Sequence, residues 1–145
     1  MVYLYYMITH EQLLAMWEED AVIERTQLDR ESLAIPKLHH KYLQILMDIR
    51  SKKVAFTHQL ETLKKEKELF YSGQARPEEY KDKPFDLKLK TKAGVEKHVN
   101  TDPDVIKLTQ KIEYFDILLE GVQHIMDQIK WRNSSIKAAI DWAKF

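Results

Sequence analysis

The chain has 145 residues and balances 23 basic against 23 acidic side chains, a formal net charge of zero that argues against a uniformly basic DNA-coating surface. It contains no cysteine, which excludes disulfide frameworks, thiolate chemistry and cysteine-based zinc sites and fits a reducing compartment. Three glycines and four prolines beside 32% charged residues suit long helices with solvated faces in a single domain.

The opening MVYLYYMI is apolar but only eight residues long. It lacks the basic start and the length of a signal peptide and is too short to span a bilayer. Residues 1–6 read either as an extension ahead of a natural start at Met7 or as a native sticky segment. No other stretch is apolar enough to cross a membrane, so no membrane partner is expected. Thr9 and Gln12 have the spacing of a capping box and predict a short helix whose apolar face holds Leu13, Leu14, Met16 and Trp17. From Glu11 to Glu31 the chain is acidic, which reads either as a solvated face or as a surface for a basic partner.

A second, long helix is predicted from near Thr26, interrupted at Pro36, which has no N–H to donate, and ending at Gly73. Tyr42, Ile49, Phe56, Leu63 and Phe70 recur at seven-residue steps along it. Leu38, Leu43, Ile45 and Leu46 widen the stripe in its first half, whereas lysines flank the second half, which is expected to leave the core. The segment LKKEKELFYSG (63–73) mixes lysines with aromatic rings. Lysines neutralise phosphates and aromatic faces stack bases, so Lys64, Lys65, Lys67, Phe70 and Tyr71 are candidate contacts to single-stranded nucleic acid. The alternative is a solvated face in which Glu61, Glu66 and Glu68 pair with those lysines.

Arg76-Pro77 and Lys83-Pro84 mark irregular chain. Beyond them Phe85, Leu87, Leu89 and Thr91 alternate with Asp86, Lys88, Lys90 and Lys92, a period-two strand pattern. With a turn at Ala93-Gly94 and a second strand from Val95 to Val99, it predicts a small β-hairpin. Its lysines Lys88, Lys90 and Lys92 serve either to protect an exposed edge or to form a second phosphate-contacting surface. Asp102-Pro103 then opens the last helix, Asp as N-cap and Pro in the first turn.

In that helix apolar residues recur at alternating steps of three and four. Val105, Ile112, Leu119, Met126, Asn133 and Ile140 take the a positions of a heptad, and Leu108, Phe115, Val122, Ile129, Ile136 and Ala143 the d positions. Leu118, Ile125 and Ala139 at g widen the seam, which favours contact with several neighbours over a simple pair. Ile112, Phe115, Leu119, Val122, Met126, Ile129, Asn133 and Ile136 are therefore the candidate oligomerisation residues, Asn133 as a buried polar group fixing register. Packing within its own chain would produce the same pattern, and periodicity alone leaves both open.

The chain has no Gly-rich phosphate loop, nucleophile elbow or metal-ligand spacing. His39 and His40 are adjacent on a helix and point apart. No catalytic residue, metal site or cofactor is expected, and the chain is read as a non-enzyme.

The order of these parts resembles the UvsY family of recombination mediators from T-even-type bacteriophages. The likeness lies in LKKEKELFYSG and in DVIKLTQKIEYFDILLEGVQHIMDQIKWRNSSIKAAIDWAKF, and spans most of the chain from about Ile8. It implies a ring-like homo-oligomer, hexamer or heptamer, held by C-terminal helices. It also implies binding to single-stranded DNA, to a RecA-like (UvsX-like) recombinase and to the phage single-stranded-DNA-binding protein. It further implies that the protein helps load the recombinase without hydrolysing nucleotide, in the cytoplasm of the infected host. The family's DNA-binding lysine and arginine fall on Lys65 and Lys67, six and four residues before the tyrosine of Tyr-Ser-Gly; lysine stands in the arginine position, and Glu66 and Glu68 weaken the local positive field. The expectation is a mainly α protein with a small β-hairpin insertion and a C-terminal coiled-coil-like helix assembling the ring. Within one domain, 9–73 is the helical DNA-binding part, 74–101 the linker and hairpin, and 102–145 the oligomerisation helix. A structural coiled-coil scaffold without nucleic acid is the alternative.

Overall fold

The computed structural model describes residues 7–85 and 91–144. Helix α1 spans His10–Asp20, a single 3-10 turn follows at Arg25–Gln27, and α2 is Leu28–Leu33. Helix α3 runs from Ile35 to Tyr71, α4 is Pro77–Asp82, α5 is Lys92–Asn100 and α6 runs from Pro103 to Ala143. Among the described residues no strand occurs. None of the described helices is long and apolar enough to cross a membrane.

The ends of these helices follow local chemistry. Thr9 Oγ1 accepts from the Gln12 N–H at 3.1 Å and Gln12 Oε1 accepts from the Thr9 N–H at 3.0 Å, completing the capping box that starts α1. The chain breaks at Ala34, between α2 and α3, so Pro36 falls in the first turn of α3, where a missing N–H costs nothing. Helix α3 ends in a Schellman motif. The Gly73 N–H donates to Phe70 O at 3.2 Å and the Gln74 N–H to Leu69 O at 2.8 Å. Gly73 supplies the left-handed turn with φ 82°. Asp102 Oδ1 accepts from the Asp104 N–H at 2.9 Å, capping α6, with Pro103 as its first residue.

The predicted second strand is corrected to a helix. Val95–Val99 lies inside α5, opened by Thr91, whose side chain accepts from the Gly94 N–H at 3.0 Å. Once Thr91 caps a helix, Val95 and Val99 share one face at a spacing of four. The first expected strand, with Lys88 and Lys90, falls largely outside the described residues.

The chain groups into two compact units, and both long helices contribute to each. One unit gathers the described residues within Met1–Ser51 and Phe115–Phe145. Its core contains Leu13, Tyr42, Leu46, Ile49, Phe115, Leu118, Val122, Ile125, Ile129 and Ile136, all buried. Helix α1 touches both long helices here. Trp17 meets the Tyr42 ring edge-on at 5.7 Å, and Leu13 approaches Gly121 so closely that a Cβ there would lie 3.3 Å from Leu13 Cδ2. Asp20 receives the Lys41 ammonium at 2.6 Å and the Tyr42 hydroxyl at 2.8 Å. Arg132, at a g position of the heptad, is buried and donates to Ala21 O, Val22 O and the Glu31 carboxylate, so it caps the end of α1.

The buried face of α6 in this unit thus runs through d and g positions, with Met126 the a position buried beside them. Phe115, Val122, Met126, Ile129 and Ile136 fill the protomer's own core. Asn133 is exposed rather than buried, with the Ser32 hydroxyl donating to its Oδ1 at 3.5 Å. The other unit is Lys52–Tyr114, and it holds the residues singled out for nucleic acid.

Candidate nucleic-acid interface

Helix α3 carries its last five turns through this unit with lysines on several faces. Successive residues turn by about 100°, so Lys65 and Lys67 project about 200° apart. The structure gives them different surroundings. Lys67 is only 17% exposed and its ammonium lies 3.3 Å from Asp102 and 3.1 Å from Asp104, at the start of α6. Burial alone would lower its pKa, but the hydrogen bond to Asp104 and the charge of Asp102 outweigh that and hold the ammonium above its usual value. A phosphate reaching Lys67 must displace two carboxylates already in place.

Phe70 and Tyr71 are also committed within the protein. Phe70 stacks on Tyr80 at 4.9 Å, and Phe85, His98 and Tyr71 extend the cluster at ring distances from 5.0 to 5.9 Å. The Tyr71 hydroxyl donates to the Asp102 carboxylate at 2.5 Å. Burial pushes the Tyr71 phenol up, and the bond to Asp102 raises it further, to about 12. Burial of Asp102 would raise its carboxyl, but the bonds from Tyr71 and the Asp104 N–H and the charge of Lys67 leave it below the ordinary carboxylate value. The Tyr-Ser-Gly stretch is therefore a joint: tyrosine to the N-cap of α6, Ser72 hydroxyl back to Leu69 O, glycine in the reversing turn. Tyr80 thus covers one face of Phe70, while Tyr71 meets Phe85 edge-on and His98 at a tilt.

Residues that the sequence pattern did not single out complete this joint. Tyr80 donates to Phe70 O at 2.6 Å and accepts from the Ala75 N–H at 3.2 Å, satisfying a terminal carbonyl of α3. Asp104 closes on Lys67. An aspartate in the first turn after Asp-Pro is a legible helix signal, but its lysine partner lies 37 residues earlier and no local spacing reveals it.

Lys65 faces elsewhere. With Glu68, Leu69, Ser72 and Gln74 it lines one wall of an open groove of about 510 Å³, and Lys92, Val95 and Glu96 of α5 line the other. The groove thus brings together one lysine from each of the two expected DNA surfaces. Lys64 is half-buried on α3 and does not line it.

Among the candidates on α6, Ile112 and Leu119 are half-buried. Large apolar side chains remain open elsewhere on this helix: Ile117, Trp131, Ile140 and Trp142, the last 80% exposed.

Comparison with known proteins agrees with this architecture. The "Recombination protein uvsY" of Enterobacteria phage T4 is 26% identical over 135 residues, covering 93% of this chain and 95% of that protein. Two crystal structures of the bacteriophage T4 recombination mediator protein UvsY superpose with TM-scores of 0.81 and 0.84 at 25% identity. They cover 92% and 95% of this chain and 97% and 99% of theirs. The family model described as recombination, repair and ssDNA binding protein UvsY matches residues 16–145. The chain belongs to the UvsY family of recombination, repair and single-stranded-DNA-binding proteins.

Proposed function

We propose that this protein is a single-stranded-DNA-binding recombination mediator that helps a RecA-like recombinase form its filament on DNA coated by a phage single-stranded-DNA-binding protein. The carrying observation is the family match over residues 16–145. In this reading the protein acts by binding alone, in the cytoplasm of an infected bacterium, and hydrolyses no nucleotide.

The protein works as a ring-like homo-oligomer. Several apolar side chains over the last turns of α6, Trp131, Ile140 and Trp142, lie open to solvent, and their burial against other copies would be favourable. Ile112, Leu119 and Asn133, left partly or fully accessible, are the candidate seam residues still available to such a contact. Phe115, Val122, Ile129 and Ile136 support it indirectly, as core residues that pack the helix within the protomer. Weak phosphate contacts on each subunit then add through high local concentration.

The test is reconstitution. On single-stranded DNA precoated with the phage binding protein, the parent chain should shorten the lag in recombinase filament formation, and bind a bare unstructured oligonucleotide with strong salt dependence. A chain that binds no oligonucleotide at low salt and leaves the lag unchanged is a structural scaffold instead.

A further inference from the structure

The groove between the end of α3 and the start of α5 is about 510 Å³ in volume, within the range of about 300–1,000 Å³ that suits small-molecule moieties. Its cations are Lys65 and Lys92, and its anions Glu68 and Glu96. Leu69 and Val95 give it an apolar lining, and Ser72 and Gln74 a polar edge. Among the described residues neither Lys65 nor Lys92 enters an ion pair, unlike Lys67. Both are exposed.

We propose that one stretch of the single-stranded DNA backbone seats in this groove with its phosphates on Lys65 and Lys92, and that Glu68 and Glu96 compete with DNA for those two lysines. The proposal rests on the single-stranded-DNA reading above. Two separate elements supply the cations, so the site exists only when α5 packs as a helix beside the end of α3. Lys67 belongs to the joint and does not contact the strand.

The carboxylates follow helix spacing. Glu68 lies three residues after Lys65, and Glu96 four after Lys92, distances at which side chains on one helix meet. Each lysine thus has a carboxylate about one helical turn away, although neither pair is closed in this structure. When DNA binds, its phosphate must win against that carboxylate. The net charge lining the groove is zero, so each contact is weak and reversible, as a protein that hands a strand onward requires. The apolar lining offers a surface for sugar or base without discriminating between sequences.

Binding of the full chain to a fluorescent, unstructured single-stranded oligonucleotide, across a salt series, tests this. Lys65→Ala/Lys92→Ala should weaken binding to all sequences alike. It should reduce the slope of log affinity against log salt by about 1.4, since each phosphate on a single strand contributes about 0.7. Glu68→Gln/Glu96→Gln should tighten binding and steepen its salt dependence, a gain that misfolding cannot imitate. Lys67→Met should leave the slope at the parental value. An unchanged slope for the double lysine variant, with parental DNA binding intact, overturns the groove and leaves the family reading standing. Unchanged or weaker binding by the double glutamine variant overturns the competition. Failure of the parent itself to bind the oligonucleotide overturns the reading on which both rest.

Discussion

The Tyr71 hydroxyl and the Asp102 carboxylate meet at 2.5 Å, joining the last residue of α3 to the N-cap of α6. Asp102 is 5% exposed, so water cannot replace the donor it would lose. Tyr71→Phe removes one hydrogen bond to a charged group and should destabilise the protein by about 1.5–3 kcal/mol. Urea denaturation of parent and variant measures it. An equal midpoint would mean that the bond contributes nothing.

Lys67→Met should behave as a stability variant. It leaves Asp102 and Asp104 without their cation, and for a pair of which one side is buried the cost is about 2–4 kcal/mol. Thermal unfolding with DNA absent should show the full loss. A variant as stable as the parent would place Lys67 outside the joint and return it to the DNA surface.

Acid should loosen the same joint. The folded pKa of Asp102 lies below the ordinary value of 3.8, and so does that of Asp20, held by Lys41 and Tyr42 against the opposing effect of burial. A depressed carboxylate stabilises fully above the unfolded value and loses that contribution as pH falls through the lower folded one. Stability should therefore stay level down to about pH 5 and fall below about pH 4. Asp102→Asn should be less stable at neutral pH yet lose less between pH 4 and 2. At the alkaline end Tyr71, raised to about 12, stabilises below its usual value of 10.0 and loses that as pH climbs through 12.

Much of the fold is local chemistry that can be read in order. Thr9 with Gln12, Gly73 and Asp102-Pro103 each carry their partners within a few residues, and each marks a helix end in the structure. The fading stripe of α3 was equally legible: its buried residues, Tyr42, Leu46 and Ile49, all precede the lysine-flanked half. Three features were not. Val95 and Val99 read as a second strand, and only the Thr91 cap betrays the helix that holds them. The heptad of α6 shows an apolar stripe but not whose side chains cover it; α1, from the same chain, reaches it through Leu13 at Gly121. The fate of Lys67 depends on a carboxylate 37 residues away, which spacing along one helix does not encode.

Assembly should depend on the open end of α6. Ile140 and Trp142 are 39% and 80% exposed, so Ile140→Asp/Trp142→Asp should leave the protomer's unfolding nearly unchanged and shift the intact mass toward smaller species. Leu119→Asp/Met126→Asp should reduce assembly as well, but with a large stability loss, because Met126 is 9% exposed and lies in the core. Native mass spectrometry beside calorimetry separates the two. If the first pair keeps the parental mass, copies associate through another surface.

Asn133 offers a finer probe. Since it is exposed in the protomer, Asn133→Ile should change monomer stability by no more than about 0.5 kcal/mol. Any effect should appear in the number of subunits. A single unchanged mass would mean that Asn133 has no part in choosing it.

The charge balance of the groove also bears on timing. Two lysines and two glutamates face one another there, on a chain whose formal charge is zero. Beyond about 8 Å, the screening distance at physiological salt, such a quartet presents almost no field. An approaching strand is therefore not drawn in from afar, and its encounter rate is set by diffusion and orientation, on the order of 10⁵–10⁷ M⁻¹s⁻¹. Salt, a rival protein or a waiting recombinase then acts mainly on how long the strand stays and barely on how often it arrives.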